Sequence, residues 1–174
     1  MTDALPVGQR HKVVWPDLRW VWSKPYRCLA FGFGVGLLRP GSGTWGSVLA
    51  LLLWWPMSWF FSHQWLGLLI AGLAISGVWV CDLCTRDLGV HDHVGVVWDE
   101  VVAVWMVLWV VPQVLWVMLL AFVLFRIFDI VKPQPIRLLD NKVRGGLGVM
   151  LDDWVAAVYA CIATWAVWLI VSSV

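Results

Sequence analysis

The charged residues of this chain fall into three segments, and the runs between those segments carry no charge at all. The charged segments are residues 1–44, 82–100 and 126–153, and the charge-free runs are residues 45–81, 101–125 and 154–174. Each charge-free run is long enough to supply the roughly 20 apolar residues of a membrane-spanning helix. Charged residues make up 13% of the chain and hydrophobic residues 61%, whereas soluble domains have about 25% charged residues. We therefore predict an all-α, polytopic membrane helical bundle.

The number of spans depends on how the charge-free runs are divided. The first run has 37 residues and is interrupted by Ser62-His63-Gln64, so it predicts two helices. The last run, of 21 residues, predicts one helix. The middle run has Pro112-Gln113 near its centre. It could form one long span or a hairpin of two helices.

The distribution of basic residues favours the hairpin. Lys and Arg are enriched on the cytoplasmic side of membrane proteins, and residues 1–44 and 126–153 hold eleven of the twelve basic residues. Placing both segments on that side requires an even number of spans between them. We therefore predict about five transmembrane helices and a cytoplasmic N-terminus. The helices are expected at about residues 45–61, 65–85, 96–111, 113–131 and 150–172. A single middle span would place residues 126–153 on the opposite side.

The charge pattern also suggests how the chain is organised. Residues 1–40 are expected to form a polar cytoplasmic or interfacial segment, and residues 41–174 a membrane-embedded domain. The net charge is only +1, and no basic run is interleaved with aromatic residues. We therefore predict a membrane partner and no nucleic-acid partner.

Carboxylates cluster at the predicted helix ends. Two adjacent pairs and one further acid form this set, which is Asp99, Glu100, Asp129, Asp152 and Asp153. Acids in a first helical turn interact favourably with the helix dipole. That effect accounts for one carboxylate at each helix start, but not for two pairs plus a fifth acid on one face of a bundle. Clustered carboxylates repel one another unless cations join them, and hard oxygen ligands suit Mg²⁺. A Mg²⁺ site is the alternative interpretation.

Basic residues accompany these acids. Arg126 and Asp129 are three residues apart, so on a helix they share a face and could form a structural ion pair. Lys132 precedes Pro133, where the helix should end in an extended turn. That turn could present Lys132 and Arg137 to a phosphate group. The same residues could equally contact anionic lipid headgroups.

Two further segments are candidates for a binding or catalytic site. The run P-G-S-G-T-W-G-S at residues 40–47 leads into the first predicted helix. Thr44 or Ser47 could cap that helix, whose free N–H groups could bind an anion. His91 and His93 flank an acidic residue. Such a pair could bind metal or transfer protons, although an H-x-H sequence in a loop is more often solvated surface.

Four motifs together resemble one family. They are G-S-G-T-W-G-S at 41–47, V-H-D-H-V-G-V-V-W-D-E at 90–100, F-R-I-F-D-I-V-K-P-Q-P-I at 125–136 and G-G-L-G-V-M-L-D-D at 145–153. Their sequences and their order resemble the phosphatidylglycerophosphatase A family. The resemblance implies a Mg²⁺-dependent lipid phosphatase of the bacterial inner membrane, with its active site on the cytoplasmic side. Its substrate would be phosphatidylglycerophosphate in the inner leaflet, and its product phosphatidylglycerol, in phospholipid biosynthesis.

The resemblance also implies site residues. The family motifs fall on Thr44, His91, Asp92, Asp99, Glu100, Arg126, Asp129, Lys132, Pro133, Asp152 and Asp153. We hypothesise that the metal ligands are Asp99, Glu100, Asp129, Asp152 and Asp153. The expected phosphate-binding residues are Thr44, Ser47, Arg126, Lys132 and Arg137. The expected catalytic residues are Arg126, Asp129, Lys132, His91 and His93.

Other functions are compatible with parts of this pattern. A Mg²⁺-dependent lipid-headgroup transferase would be expected to carry a D-G-x2-A-R pattern, which is absent. A small ion-coupled transporter would need charges near the middle of its helices, where this chain has none. A non-enzymatic membrane scaffold would have no need for paired carboxylates.

Overall fold

The computed structural model describes residues 15–90 and 93–173, and every regular element in these ranges is helical. The N-terminal elements are α1 (Leu18–Trp22), α2 (Pro25–Ala30) and a 3-10 helix (Gly32–Leu37). The elements that follow are α3 (Ser42–Phe60), α4 (His63–Leu88), α5 (Trp98–Val110), α6 (Leu115–Val131), α7 (Ile136–Lys142) and α8 (Gly146–Ser172). The predicted all-α class is thus confirmed for the described residues.

Each of the five predicted stretches contains a helix, but α3 and α8 begin three or four residues earlier than expected. α3 begins at Ser42 instead of about residue 45, and α8 begins at Gly146 instead of about residue 150. Each start follows a glycine with a positive φ, 73° at Gly41 and 76° at Gly145. Glycine adopts this backbone without the steric cost that other residues meet. The chain can therefore turn sharply and enter the helix at the next residue.

The middle charge-free run contains two helices, α5 and α6, joined by residues 111–114. The break occurs at Pro112, which cannot donate a backbone hydrogen bond within a helix. The Gln113 side chain then donates to the carbonyl oxygens of Leu108 (2.6 Å) and Val111 (2.9 Å). These contacts satisfy carbonyl groups that a helix C-terminus leaves without partners. The run is therefore a hairpin and not one continuous helix.

Helix α5 lies at the centre of the bundle, and α3, α4, α6 and α8 pack around it. Nine of its 13 residues are buried, as expected of a helix that is apolar on all sides. The outer helices instead expose large apolar side chains, including Trp59 (80% exposed) and Phe60 (84% exposed). By length and composition, α4 and α8 are able to cross a membrane. These features indicate that the protein associates with a membrane.

The described part of the N-terminal segment is attached at one end of this bundle. Arg27 Nη2 lies 2.6 Å from Asp87 Oδ2 at the end of α4, and the Tyr26 hydroxyl donates to the same carboxylate. The Val97 N–H, just before α5, donates to the Ala30 carbonyl (2.8 Å). Residues 15–40 therefore lie beside the end of α4 and the start of α5.

Candidate active site

A cavity of about 220 Å³ opens where α3, α5 and α8 begin and α6 ends. All five predicted acidic residues line it, namely Asp99, Glu100, Asp129, Asp152 and Asp153. Arg126 and Lys132 line it as well. The three helices that begin here run in one direction and α6 runs in the other. This arrangement brings residues from four separate parts of the sequence to one end of the bundle.

Three of the carboxylates form a tight group. One oxygen atom from each of Asp99, Glu100 and Asp153 lies within 4.8 Å of the others. In the described part of the chain, Asp99 Oδ1, Glu100 Oε2 and Asp153 Oδ2 are buried and accept no hydrogen bond. Leaving buried charged groups without partners is costly. A divalent cation with a preference for oxygen ligands, such as Mg²⁺, would satisfy all three groups at once. These residues therefore fit the predicted metal.

The acids of α8 are not in the first turn of that helix. Because α8 begins at Gly146, Asp152 and Asp153 lie in its second turn, and the first turn has no acidic residue. Both are buried, with exposures of 7% and 3%. The helix-dipole interpretation therefore does not explain this pair, whereas a site that needs buried carboxylates does.

The glycines that precede the α8 acids serve helix packing. A Cβ on Gly146 would lie 1.9 Å from the Val78 carbonyl oxygen of α4, and a Cβ on Gly148 would lie 2.3 Å from the Val143 carbonyl oxygen. Only a glycine permits such a close approach of two backbones. This packing sets the position of α8, and with it the depth at which its two carboxylates enter the cavity.

Arg126 is held by contacts from two helices. Its Nη1 lies 2.5 Å from Asp129 Oδ2 and donates to Ser47 Oγ (3.3 Å), while its Nη2 donates to Thr44 Oγ1 (3.4 Å). The predicted pair Thr44 and Ser47 thus contacts the guanidinium group of Arg126. Neither residue caps α3, whose N-cap residue is Gly41, so that part of the prediction is wrong.

The start of α3 forms one wall of the cavity. Gly41, Ser42 and Gly43 line it, so the first-turn N–H groups of α3 lie where they can meet an anion. The buried Ser42 hydroxyl donates to the Val94 carbonyl oxygen, which holds the segment before α5 against α3. Sequence reasoning missed Ser42 as an individual site residue. The signal that points to it is the glycine-rich turn at residues 40–47.

Gly43 allows α3 to approach the carboxylate group closely. A Cβ on this residue would lie 2.0 Å from Glu100 Oε1 and 3.4 Å from Arg126 Nη1. These two side-chain atoms are themselves 3.9 Å apart. The positions of Glu100 and Arg126 in the cavity thus depend on the absence of a side chain at Gly43.

Lys132 follows directly after α6 in an uncommon backbone conformation. Its φ is 45°, in the left-handed region that residues other than glycine rarely adopt. Its Nζ lies 2.6 Å from Asp152 Oδ2. Strained backbone of this kind occurs often at functional sites. Here it turns the Lys132 side chain back toward the cavity at the point where Pro133 ends the helix.

His93 has a different environment from the one predicted. It is 2% exposed, its Nδ1 accepts a hydrogen bond from the Gly95 N–H (3.0 Å), and its ring packs against Trp15 and Phe31. It is not among the described residues that line the cavity. The structure therefore places His93 beneath the turn that leads into α5, and it is not solvated surface.

Two other predicted residues do not contribute to the described cavity wall. His91, together with Asp92, lies outside the described residues. Arg137 is exposed on α7 and is not among the described cavity-lining residues. Of the predicted phosphate-binding side chains, Arg126 and Lys132 are thus the ones that reach the cavity.

Comparisons with known proteins agree with the motifs. The family model of Phosphatidylglycerophosphatase A matches residues 28–168. A Haemophilus influenzae protein named Phosphatidylglycerophosphatase A is 42% identical over 82% of this chain and 88% of its own length. The Escherichia coli protein of the same name is 42% identical, over 86% of both chains. A Bacteroides thetaiotaomicron protein, provisionally named a phosphatidylinositol-3-phosphatase, is 37% identical over 78% of this chain and 91% of its own length. No solved structure gives a significant match.

Proposed function

The chain belongs to the phosphatidylglycerophosphatase A family, and we propose that it hydrolyses phosphatidylglycerophosphate to phosphatidylglycerol and inorganic phosphate. Membership of this family makes the protein a lipid phosphatase. The observation that carries the proposal is the arrangement of Asp99, Glu100 and Asp153 beside Arg126 and Lys132 in one cavity. Such a cavity can hold a metal and a phosphate group side by side.

We place this site at the cytoplasmic face of the bacterial inner membrane, where it meets lipid of the inner leaflet. The bundle would cross the membrane five times, with the short helices α5 and α6 forming the central hairpin. The basic segments at residues 1–44 and 126–153 support this orientation, because basic residues favour the cytoplasmic side. A phosphate on a lipid headgroup would then lie at the same depth as the cavity.

Asp99, Glu100 and Asp153 are the residues that we propose to hold Mg²⁺. When bound there, the ion supplies positive charge next to the phosphate and lowers the pKa of a water molecule. Asp129 and Asp152 line the same cavity, but each contacts a cation of the protein, Arg126 and Lys132 respectively. We assign these two carboxylates first to the orientation of those cations.

Arg126 and Lys132 are the groups that would stabilise the phosphate oxygens. In phosphoryl transfer, negative charge spreads over the three equatorial oxygens, and fixed donors aimed at them lower the barrier. Arg126 is held by Asp129, Ser47 and Thr44 before any substrate arrives. The N-terminus of α3 adds backbone N–H groups on a third side of the cavity.

The proton-transfer step has one remaining histidine candidate. His93 is buried under Trp15 and Phe31, so we assign it to positioning the turn before α5. His91 stays the predicted donor to the leaving alkoxide. The tight contact between Asp129 and Arg126 favours a positioning role for Asp129 over a covalent nucleophile.

Phosphate release by the purified protein tests the function. The protein, in lipid nanodiscs, should release inorganic phosphate from phosphatidylglycerophosphate with Mg²⁺ present and should lose this activity in EDTA. Phosphatidylinositol-3-phosphate is the comparison substrate, because the name of the Bacteroides thetaiotaomicron relative refers to it. No release from phosphatidylglycerophosphate by folded protein would contradict the proposal, as would equal release in EDTA.

Ser47→Ala tests the proposed orientation of Arg126. Ser47 is fully buried, donates to the Gly43 carbonyl (2.9 Å) and accepts from Arg126 Nη1. Its loss leaves the Arg126–Asp129 pair intact, so we expect kcat/KM to fall by about three- to tenfold and stability by about 1 kcal/mol. Steady-state kinetics and thermal unfolding measure the two effects. Ser76→Ala, which removes a hydroxyl that donates to the Leu73 carbonyl of its own helix (3.3 Å), is the matched control and should change neither quantity appreciably.

A further inference from the structure

Three consecutive residues of the N-terminal 3-10 helix have left-handed backbone angles. The φ values are 52° at Gly32, 60° at Phe33 and 104° at Gly34. Glycine adopts such angles readily, but they strain the backbone of Phe33, which has a bulky side chain. Phe33 is nevertheless 47% exposed, so packing within the protein does not account for its conformation. Strained residues of this kind often serve a function.

Phe33 belongs to an exposed apolar surface. A Cβ on Gly34, the next residue, would lie 2.9 Å from Leu18 Cδ1 and 4.0 Å from Trp22 Nε1 of α1. Leu18 and Trp22 are one helical turn apart and are both exposed. We call Leu18, Trp22 and Phe33 the N-terminal patch. None of the four sequence motifs includes it, and the proposed phosphate chemistry does not use it.

Helix α1 separates its apolar exposed residues from its polar ones. Val21 is fully buried, whereas Leu18 and Trp22 form an exposed apolar side. Arg19 and Ser23, also one turn apart, form an exposed polar side. This arrangement suits a segment at a membrane interface, where the apolar side meets hydrocarbon and the polar side meets headgroups and water.

The N-terminal patch adjoins the exposed apolar side of α3. A Cβ on Gly32, the residue before Phe33, would lie 3.2 Å from Leu49 Cδ2 of α3. By their spacing, Trp45, Leu49 and Leu52 share one face of that helix. Trp45 and Leu52 are exposed on it. A membrane that covers this side of α3 therefore continues onto the N-terminal patch.

The segment that carries the N-terminal patch also supports one wall of the carboxylate-lined cavity. Val96 is part of that wall, and the N–H of the next residue, Val97, donates to the Ala30 carbonyl oxygen (2.8 Å). Gly36 and Gly95 pack backbone against backbone, since a Cβ on Gly36 would overlap the Gly95 carbonyl oxygen. The positions of the patch and of the cavity wall are thus linked.

We propose that the N-terminal patch inserts into the membrane leaflet next to the cavity and holds the cavity wall at the depth of the lipid headgroups. The partner is the bilayer interface. Its hydrocarbon edge receives Leu18 and Phe33, the Trp22 indole lies at headgroup level, as is common for tryptophan, and anionic headgroups attract Arg19. The insertion itself follows from the exposed patch, whereas its effect on catalysis rests on the proposed function.

Photo-crosslinking tests the insertion without turnover. p-Benzoylphenylalanine, which keeps an aromatic ring, replaces Phe33, and the protein is irradiated in nanodiscs of phosphatidylethanolamine and phosphatidylglycerol. Mass spectrometry of the labelled peptide gives the yield of lipid adduct. The same replacement at Leu52, on the exposed apolar side of α3, and at Arg19, on the polar side of α1, provides the two controls.

The two controls define the expected yields. We expect the adduct yield at position 33 to lie within about twofold of the yield at position 52, because both rings would contact hydrocarbon. The yield at position 19 should be clearly lower. A yield at position 33 no higher than that at position 19 would overturn the proposal.

Phe33→Gly tests the effect on catalysis. Glycine adopts a φ of 60° without strain, so the substitution should not lower the Tm in detergent. We expect kcat/KM for dioleoyl phosphatidylglycerophosphate in nanodiscs to fall about fivefold, because the cavity wall is no longer held at headgroup depth. The water-soluble dihexanoyl lipid reaches the cavity without the bilayer, so its kcat/KM should stay within about twofold of wild type.

Phe61→Gly is the matched control. Phe61 is 44% exposed and lies at the other end of α3, so its loss removes a ring of similar exposure far from the cavity. It should leave kcat/KM for both lipids unchanged. Phe33→Asn replaces Phe33→Gly if the glycine variant is not monodisperse, because asparagine also tolerates left-handed angles.

The outcomes separate this inference from the proposed function. If wild type hydrolyses neither lipid, the proposed function fails, and the adduct yields still decide whether the patch inserts. If wild type hydrolyses both lipids and Phe33→Gly lowers both equally, or lowers neither, the effect of the patch on catalysis is overturned while the proposed function stands.

Discussion

Asp153→Asn is expected to lower the kcat for phosphate release by about 10³-fold, which corresponds to about 4 kcal/mol of transition-state stabilisation. Asp153 belongs to the group of three carboxylates whose oxygens lie within 4.8 Å of one another, and its Oδ2 is buried without a hydrogen-bond donor in the described residues. The substitution keeps the shape of the side chain but removes its charge. Steady-state phosphate release at saturating Mg²⁺ measures the loss.

The same substitution should not destabilise the metal-free protein. Without a cation, three buried carboxylates repel one another, so replacing one with an amide removes an unfavourable interaction. We expect the Tm of Asp153→Asn in EDTA to equal or exceed that of wild type. A variant that loses activity but keeps or gains stability indicates that the native residue serves function and lowers the stability of the fold.

Mg²⁺ should stabilise wild type and have a much smaller effect on Asp153→Asn. A ligand that binds only the folded state adds about 2.7 kcal/mol at a concentration 100 times its Kd. Thermal unfolding with and without Mg²⁺ therefore reports the metal site independently of catalysis. An undiminished Mg²⁺-induced shift in the variant would contradict the assignment of Asp153 as a ligand, whatever its activity.

Asp82→Asn is the matched control for this experiment. Asp82 lies on α4, pairs with the exposed Arg86 (2.7 Å) and is not among the described residues that line the cavity. Its Oδ1 also accepts from the Gly146 N–H (3.3 Å), a contact that the amide oxygen of an asparagine can keep. A surface ion pair of this kind contributes at most about 1 kcal/mol. We expect Asp82→Asn to keep activity within about twofold and to keep the full Mg²⁺-induced shift, because its charge lies outside the proposed ligand group.

The helix positions follow from the spacing of charges, whereas the helix starts do not. The charge-free runs predict where α3 to α6 and α8 lie, because apolar residues must avoid water along the whole length of a helix. The starts at Ser42 and Gly146 depend instead on positive φ angles at Gly41 and Gly145. The sequence shows that glycines are present but not which of them turns the backbone.

The composition of the cavity and one of the two ion pairs within it were predictable, but the second ion pair was not. All five acids selected from their sequence positions line the cavity. An acid that already pairs with a basic side chain of the protein is less available to bind a metal, so the ion pairs decide which of the five acids could bind one metal ion together. The pair of Arg126 with Asp129 lies within α6, and its three-residue spacing predicts it. The pair of Lys132 with Asp152 joins the end of α6 to α8 and depends on how these helices pack, which a single sequence does not reveal.

His93 shows where sequence reasoning fails. An H-x-H sequence between charged residues resembles a loop that is open to chemistry or to water. The ring is instead covered by Trp15 and Phe31, from an N-terminal segment more than 60 residues away in sequence. Nothing local to His93 signals this burial, because it comes from tertiary contacts.

Gly43→Ala is expected to lower kcat/KM by about 10²-fold with little effect on stability. The new Cβ would lie 2.0 Å from Glu100 Oε1, so either the carboxylate or the start of α3 must move. Moving the end of a flexible side chain is inexpensive for folding, but it displaces a proposed metal ligand. A displacement of about 1 Å at a reacting centre can cost about 10²-fold. Steady-state kinetics and thermal unfolding, measured on the same preparation, test both parts of this prediction.

Gly72→Ala is the control for the effect of alanine in a helix. Gly72 lies within α4, and a Cβ there would meet nothing within 4 Å. The change should raise stability by up to about 1 kcal/mol, the difference in helix propensity between glycine and alanine. Activity should not change. Wild-type activity in Gly43→Ala would show that α3 does not approach Glu100 as closely as the structure indicates.

A double-mutant cycle with Ser47→Ala identifies which group moves in Gly43→Ala. If only the Glu100 side chain moves, the contact between Ser47 and Arg126 survives, and the two losses of activity should add within about 0.5 kcal/mol. If the start of α3 moves, Gly43→Ala already breaks that contact. Adding Ser47→Ala to Gly43→Ala then lowers the activity only a little further. The coupling energy from the cycle would therefore exceed about 0.5 kcal/mol. Additive losses of activity would therefore show that Gly43 acts by leaving room for the Glu100 side chain. Strong coupling would show that Gly43 acts by setting the position of α3.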